Sequence, residues 1–146
     1  MKNREMPEMK WSIKKAAAAI IAFAVLAAVI VLAAYLKQVA DYKQAVSEIF
    51  IEEVHLSDIP DGVYIGECDV NFIYAKVEVT VDSGEITNIR ILEHKNERGQ
   101  AAEAVVERIV SEQRIDVDAV SGATNSSTVL KKAVENALKS INTLVN

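Results

Sequence analysis

The stretch Phe72-Ile-Tyr-Ala-Lys-Val-Glu-Val-Thr-Val-Asp-Ser-Gly-Glu-Ile-Thr-Asn-Ile-Arg-Ile-Leu-Glu-His94 decides the fold. Ala75, Val77, Val79 and Val81 alternate with Lys76, Glu78 and Thr80, the period of two that puts one strand face in a core. Glu85 to His94 continues with Ile86, Ile89 and Ile91 among polar residues. Two such runs joined by Asp82-Ser83-Gly84 predict a β-hairpin. Working outward, Gly62 to Cys68 predicts a third short strand, with Val63 and Ile65 alternating against Tyr64 and Gly66. Gln100 to Glu112 predicts an amphipathic helix, with Ala101, Ala104, Val105 and Ile109 inward beside Ala102 or Val106. A last helix presents Val129, Leu130, Ala133, Val134, Ala137, Leu138 and Ile141 at the i, i+3, i+4 spacing of one buried face. The expected class is α+β, a small antiparallel sheet packed with two helices.

Directly before the last helix stands Asp118-Ala-Val-Ser-Gly-Ala-Thr-Asn-Ser-Ser127. A helix start leaves about four backbone N–H groups unpartnered and carries partial positive charge. Gly122 lets a ligand approach the backbone there, so the turn suits a phosphate or another anion. The same residues also read as a simple cap, with Asn125 or Ser126 accepting from an N–H farther on. No lysine follows the glycine as in a P-loop, and the dinucleotide G-x-G-x-x-G pattern is absent.

Toward the N-terminus, Ala16 to Leu36 holds no charged residue. At about 1.5 Å per residue this run spans a bilayer's hydrocarbon core, and the expectation is a transmembrane helix over 16–36. Lys2, Arg4, Lys10, Lys14 and Lys15 precede it against Glu5 and Glu8, while Lys37 and Asp41 follow. That asymmetry predicts a cytoplasmic tail over 1–15 and an extracytoplasmic remainder. Trp11 and Tyr35 stand near the two edges, where aromatic belts form. A cleaved signal peptide is the competing reading, but the apolar run exceeds the usual signal core. Residues 37–60 read as a helical stalk and linker punctuated by Pro60 and Gly62, and 61–146 as the outer domain.

With 146 residues there is room for one membrane segment and one small domain. Beyond residue 37, ten Lys or Arg face nineteen Asp or Glu, a formal charge of −9. Nucleic acid is therefore not an expected partner, since its phosphates demand a basic surface. Cys68 is the sole cysteine, so no internal disulfide forms, and it reads as a small buried residue. With two histidines and one cysteine, no Ser-His-Asp or Cys-His constellation supports an enzyme with its own substrate pocket.

Asp118-Ala-Val-Ser-Gly-Ala-Thr124 resembles the flavinylation motif of the FMN-binding domain family, Asp-x-x-(Ser/Thr)-Gly-Ala-(Ser/Thr). Asp61 to Gly66 looks like that family's opening strand. Val77-Glu78-Val79 with Gly84-Glu85-Ile86-Thr87 looks like its central hairpin, and Ser126-Ser127 with Ala133-Val134 and Ala137-Leu138 like its closing helix. The resemblance covers roughly 61–141. It implies that an FAD-dependent flavin transferase esterifies FMN, through its phosphate, to Thr124. It further implies that Asp118, Ser121, Gly122 and Ala123 form the recognition sequence, and Ser121, Asn125, Ser126 and Ser127 are candidate donors to the phosphate. Longer members, flavin-bearing subunits of Rnf-type and sodium-pumping NADH:quinone reductase complexes, carry Glu-Thr-Pro-Gly near the flavin. His94-Lys95-Asn96-Glu97-Arg98-Gly99 occupies that region here, so the chain looks more like the short, single-domain members.

His94 reads either as a flavin or phosphate ligand or as a structural strand-end residue. Tyr64, Phe72 and Tyr74 read as ring-stacking candidates or as packing. Lys131 and Lys132 read as solvent-facing. The function implied is a membrane-anchored electron carrier bearing covalent FMN. A membrane quinone or a dehydrogenase would serve as donor, and another flavoprotein or an external molecule as acceptor. The alternatives are a cofactor-free, anchored interaction module and a subunit of an ion-pumping redox complex.

Overall fold

The computed structural model describes residues 7–95 and 100–140, with side chains from Ile13 onward. Asn96 to Gly99 and Ile141 lie outside the described residues, as does the side chain of Trp11. The chain forms α1 (Pro7–Ser47), β1 (Gly62–Asp69), β2 (Tyr74–Asp82), β3 (Glu85–Lys95), α2 (Ala104–Glu112) and α3 (Thr124–Lys139). Short 3₁₀ turns occupy Leu56–Asp58 and Gln100–Glu103. Two compact units divide the chain, residues 1–41 and 42–146.

In the first unit, α1 is long and apolar enough to cross a membrane from Ile13 onward, and its apolar window buries nothing against protein. Ile20, Phe23, Leu26, Ile30 and Leu36 all stand more than half exposed. Exposed apolar surface of this extent suits a lipid solvent.

In the second unit the sheet order is β1-β2-β3, antiparallel throughout. Ser83 and Gly84 take positive φ (56° and 77°), the mirror-image turn whose twist matches a tight hairpin. On β2, Ala75, Val77 and Val79 are fully buried and Val81 nearly so, following the alternation in the sequence. β3 departs from strict alternation because Thr87 and Leu92 are extra residues at two irregularities of the ladder. Each irregularity resets the pleat. That is why Ile86 and Ile89, three residues apart, both reach the core.

α3 packs against β1 and β2, while α2 packs against β3. Val129, Leu130, Ala133, Val134, Ala137 and Leu138 are all buried, as their spacing predicts. At the α2 end the expectation is only half met. Ala102, Val105, Val106 and Ile109 are buried, but Ala101 and Ala104 are exposed. The segment opens as a 3₁₀ turn over Gln100–Glu103, whose three residues per turn shift the phase of the inward face.

Of residues 37–60, read as stalk and linker, 42–60 belong to the second unit. Val46 and Ile59 are buried in its core, with Tyr42, Ile49, Ile51 and Val54 packed against it. Phe50 remains 73% exposed.

Candidate functional site

The loop from Arg114 to Ala123 has no helix or strand of its own, so side chains from elsewhere must satisfy its backbone. Glu53 accepts from the N–H groups of Ile115 (3.1 Å) and Asp116 (2.7 Å). Lys131 Nζ donates to the Asp116 carboxylate (2.7 Å) and the Val117 carbonyl (3.0 Å). Arg108 on α2 donates to the Asp118 carbonyl (3.0 Å). The Ser127 hydroxyl accepts from the Val120 N–H (3.0 Å) and donates to the Ala123 carbonyl (2.9 Å). Ile115 and Val117 meanwhile bury their side chains. The loop is thus held along its length.

Its end opens outward. Ser121, Gly122 and Thr124 are exposed. Gly122 takes φ +79°, the left-handed conformation that favours glycine, and a Cβ there would meet nothing within 4 Å. α3 begins at Thr124, so Asn125 and Ser126 lie inside the helix, and the cap expected from either is replaced by Ala123, with no side-chain bond. Among the described residues the first N–H groups of the helix accordingly keep no side-chain partner. Thr124 gives its carbonyl to Thr128 Oγ1 (3.0 Å), and among the described residues no hydrogen bond engages its own hydroxyl. Ser126 and Ser127 are buried, and Ser127 is already committed to the loop. Asp118 is exposed beside its anchored carbonyl.

Asn125 reaches across to another part of the unit. Its Nδ2 donates to the Tyr42 hydroxyl (3.3 Å), and the Tyr42 ring meets Phe72 edge-on at 5.3 Å between centroids. Phe72 stands in the β1–β2 connection, where Asn71 takes φ 65° and gives its N–H to the Asp69 carboxylate. The other aromatic candidates hold structural bonds. Tyr64 donates to the Pro60 carbonyl (2.7 Å), and Tyr74 to Glu67 (2.9 Å). The bond to Glu67 holds the Tyr74 phenol protonated, raising its pKa to about 12.

The His94 side chain is buried, with Nδ1 3.1 Å from Glu103. This ties the end of β3 to the turn before α2. Neither candidate lysine is solvent-facing as expected. Lys131 is buried against Asp116, and Lys132 holds the Phe50 carbonyl and the Glu135 carboxylate. Glu135, only 1% exposed, also binds Lys139 and accepts from the Glu52 N–H. Burial alone would raise its pKa, but the bonds from Lys139, Lys132 and Glu52 N–H outweigh burial and lower it. Cys68 is half-buried, and burial pushes its thiol pKa up, which favours the protonated form.

Sequence reasoning gave Glu53, Arg108, Lys131 and Tyr42 no part in holding this site. No local signal marks them, since Glu53 and Ile115 are 62 positions apart. A separate shallow cleft lies between β3 and α2, lined by residues such as Thr87, Ile89, Val106 and Ser111. None of the motif residues lines it.

Residues 74–139 match the family model of the FMN-binding domain. No curated protein and no solved structure matches the chain. The match runs from the first residue of β2 to the last of α3 and takes in the hairpin, the tied loop and Thr124. This part of the chain is therefore a domain of the FMN-binding domain family.

Proposed function

We propose that the chain is a membrane-anchored electron carrier whose FMN is joined by a phosphoester to Thr124. The observation that carries the reading is the placement of Thr124. It is exposed, its hydroxyl is unengaged among the described residues, and it opens α3 beside the unobstructed Gly122 in a domain of the FMN-binding family. In the attachment step the Thr124 oxygen bonds to the FMN-side phosphorus of FAD. The pyrophosphate P–O bond breaks, AMP departs, and the hydroxyl proton passes to a base on the flavin transferase. No electron changes hands in that step.

The diester keeps one negative charge, which the start of α3 stabilises by about 0.3–1 kcal/mol. Ser121 and Asn125 remain available to its oxygens, whereas Ser126 and Ser127 are buried. His94 is better read as the tie to Glu103 than as a ligand. FMN supplies the one- and two-electron chemistry, and the chain supplies tether and position. The basic residues before Ala16 orient the N-terminus to the cytoplasm, which puts the flavin outside. Covalent attachment suits that side, where a dissociated cofactor would be lost. A membrane quinone or dehydrogenase is the proposed donor, and another flavoprotein or external molecule the acceptor.

The test is a denaturing gel viewed under ultraviolet light, after co-expression with a competent flavin transferase. The band should fluoresce, and Thr124→Ala should abolish the signal. A dark wild-type band sinks the proposal.

A further inference from the structure

Asn125, next to the acceptor threonine, is bonded to one of a pair of aromatic rings. Tyr42 and Phe72 come from segments far apart in sequence, the end of α1 and the β1–β2 connection. They meet edge-on at 5.3 Å, and each keeps part of its surface in solvent. Asn125, the residue after Thr124, links them to the start of α3 through its bond to the Tyr42 hydroxyl. Of the aromatic residues read as stacking candidates, Tyr64 and Tyr74 are bonded to Pro60 and Glu67, while Phe72 alone joins this linked group.

We propose that Tyr42 and Phe72 form the platform on which the isoalloxazine ring of the Thr124-linked flavin rests, with Asn125 fixing the orientation of Tyr42. The inference rests on the function proposed above. A ribityl chain spans about as far as two extended residues, roughly 7 Å. The aromatic pair is joined to Asn125, the chain neighbour of Thr124, and is the surface proposed to lie within that length. A flat, electron-poor ring gains from an offset or edge contact with Tyr and Phe, and little from the polar surroundings of the loop. The platform would also shield one ring face from water, which bears on the flavin's potential.

The experiment uses the full chain in detergent, flavinylated by co-expression, with flavin emission read before and after denaturation. A phenol packed on a flavin quenches its emission by donating an electron to the excited ring. The denatured emission and the intact mass report how much flavin is attached. Wild type should be dim when folded and bright when denatured. Tyr42→Phe keeps the packing against Phe72 but removes the phenol, and its folded emission should rise well above wild type at equal attachment. Tyr42→Trp, which restores an electron-rich ring, should be dim again. Phe72→Leu should loosen the stack and raise emission while leaving attachment unchanged. Equal folded emission in wild type and Tyr42→Phe, with flavin attached in both, overturns the platform. Absence of covalent flavin from every variant and from wild type instead overturns the attachment at Thr124.

Discussion

Replacing Gly66 with alanine tests how β1 and α3 fit together. A Cβ at this position would lie 2.7 Å from Ala137 Cα, with the Ala133 carbonyl oxygen and the Ala137 nitrogen closer still. Ordinary carbon contacts sit at about 3.5–4.0 Å, so strand and helix must part by roughly 1 Å. The obstructing atoms are backbone, and no side-chain rotation relieves them. A gap of that size forfeits about a quarter to a half of each dispersion contact across the seam. Overpacking of this kind costs about 1–3 kcal/mol, occasionally more, and the upper part applies where the neighbour is rigid. The stiffer unfolded chain returns about 0.4–1 kcal/mol. The net loss is about 2 kcal/mol, which lowers the melting temperature by roughly 8–16 °C in a domain of this size. Pulse proteolysis of the full chain across a urea series reads the midpoint without interference from α1. Trimming Ala133 or Ala137 to glycine should not rescue the variant, because neither change moves the helix backbone. A midpoint within about 0.5 kcal/mol of wild type, or rescue by Ala137→Gly, would refute this account of the β1–α3 seam.

Gly122→Ala should cost only about 1 kcal/mol in the same assay, because the space is open and the left-handed backbone is the sole penalty. Lys131→Met should cost about 1–3 kcal/mol, since it removes charged bonds to Asp116 and Val117 while keeping the buried stem. Hydrogen exchange should then quicken at Ile115 to Asp118 before it does so in β2. Glu135 titrates below its unfolded value of 4.5, so its contribution is present above that pH and lost as the pH falls through the folded value. The wild-type urea midpoint should therefore drop below about pH 4.5, while Glu135→Gln should be weaker at pH 7 and show a flatter acid limb. Tyr74 should be the late phenol in an ultraviolet titration, ionising at about pH 12, and Glu67→Gln should bring it back toward 10.

The alternation in β2 and the helical spacing in α3 survive unchanged into the tertiary structure. Each is a local period with one face to bury, and burial against any suitable partner satisfies it. Thr124 as the end of a motif was equally legible, whereas the left-handed backbone of Gly122 appeared only in the structure. The inward face of the Gln100–Glu112 segment was misplaced at Ala101 and Ala104, because its first turn is 3₁₀ and the helical period does not describe it. The cap expected from Asn125 or Ser126 failed for a related reason. Capping residues signal a helix start only to within a residue or two, and here the helix begins earlier, at Thr124.

Sequence by itself determined the apolar helix, the hairpin, the two flanking helices and the family motif ending at Thr124. Each depends on the order of neighbouring residues and on short-range sterics. Only the tertiary structure decided which side chains serve that motif. Glu53, Arg108 and Lys131 hold the loop before it, Ser126 and Ser127 turn inward, and Tyr42 is brought to Asn125 from 83 positions away. Contacts between distant segments exist only once a shared core has fixed both, and no local spacing encodes them.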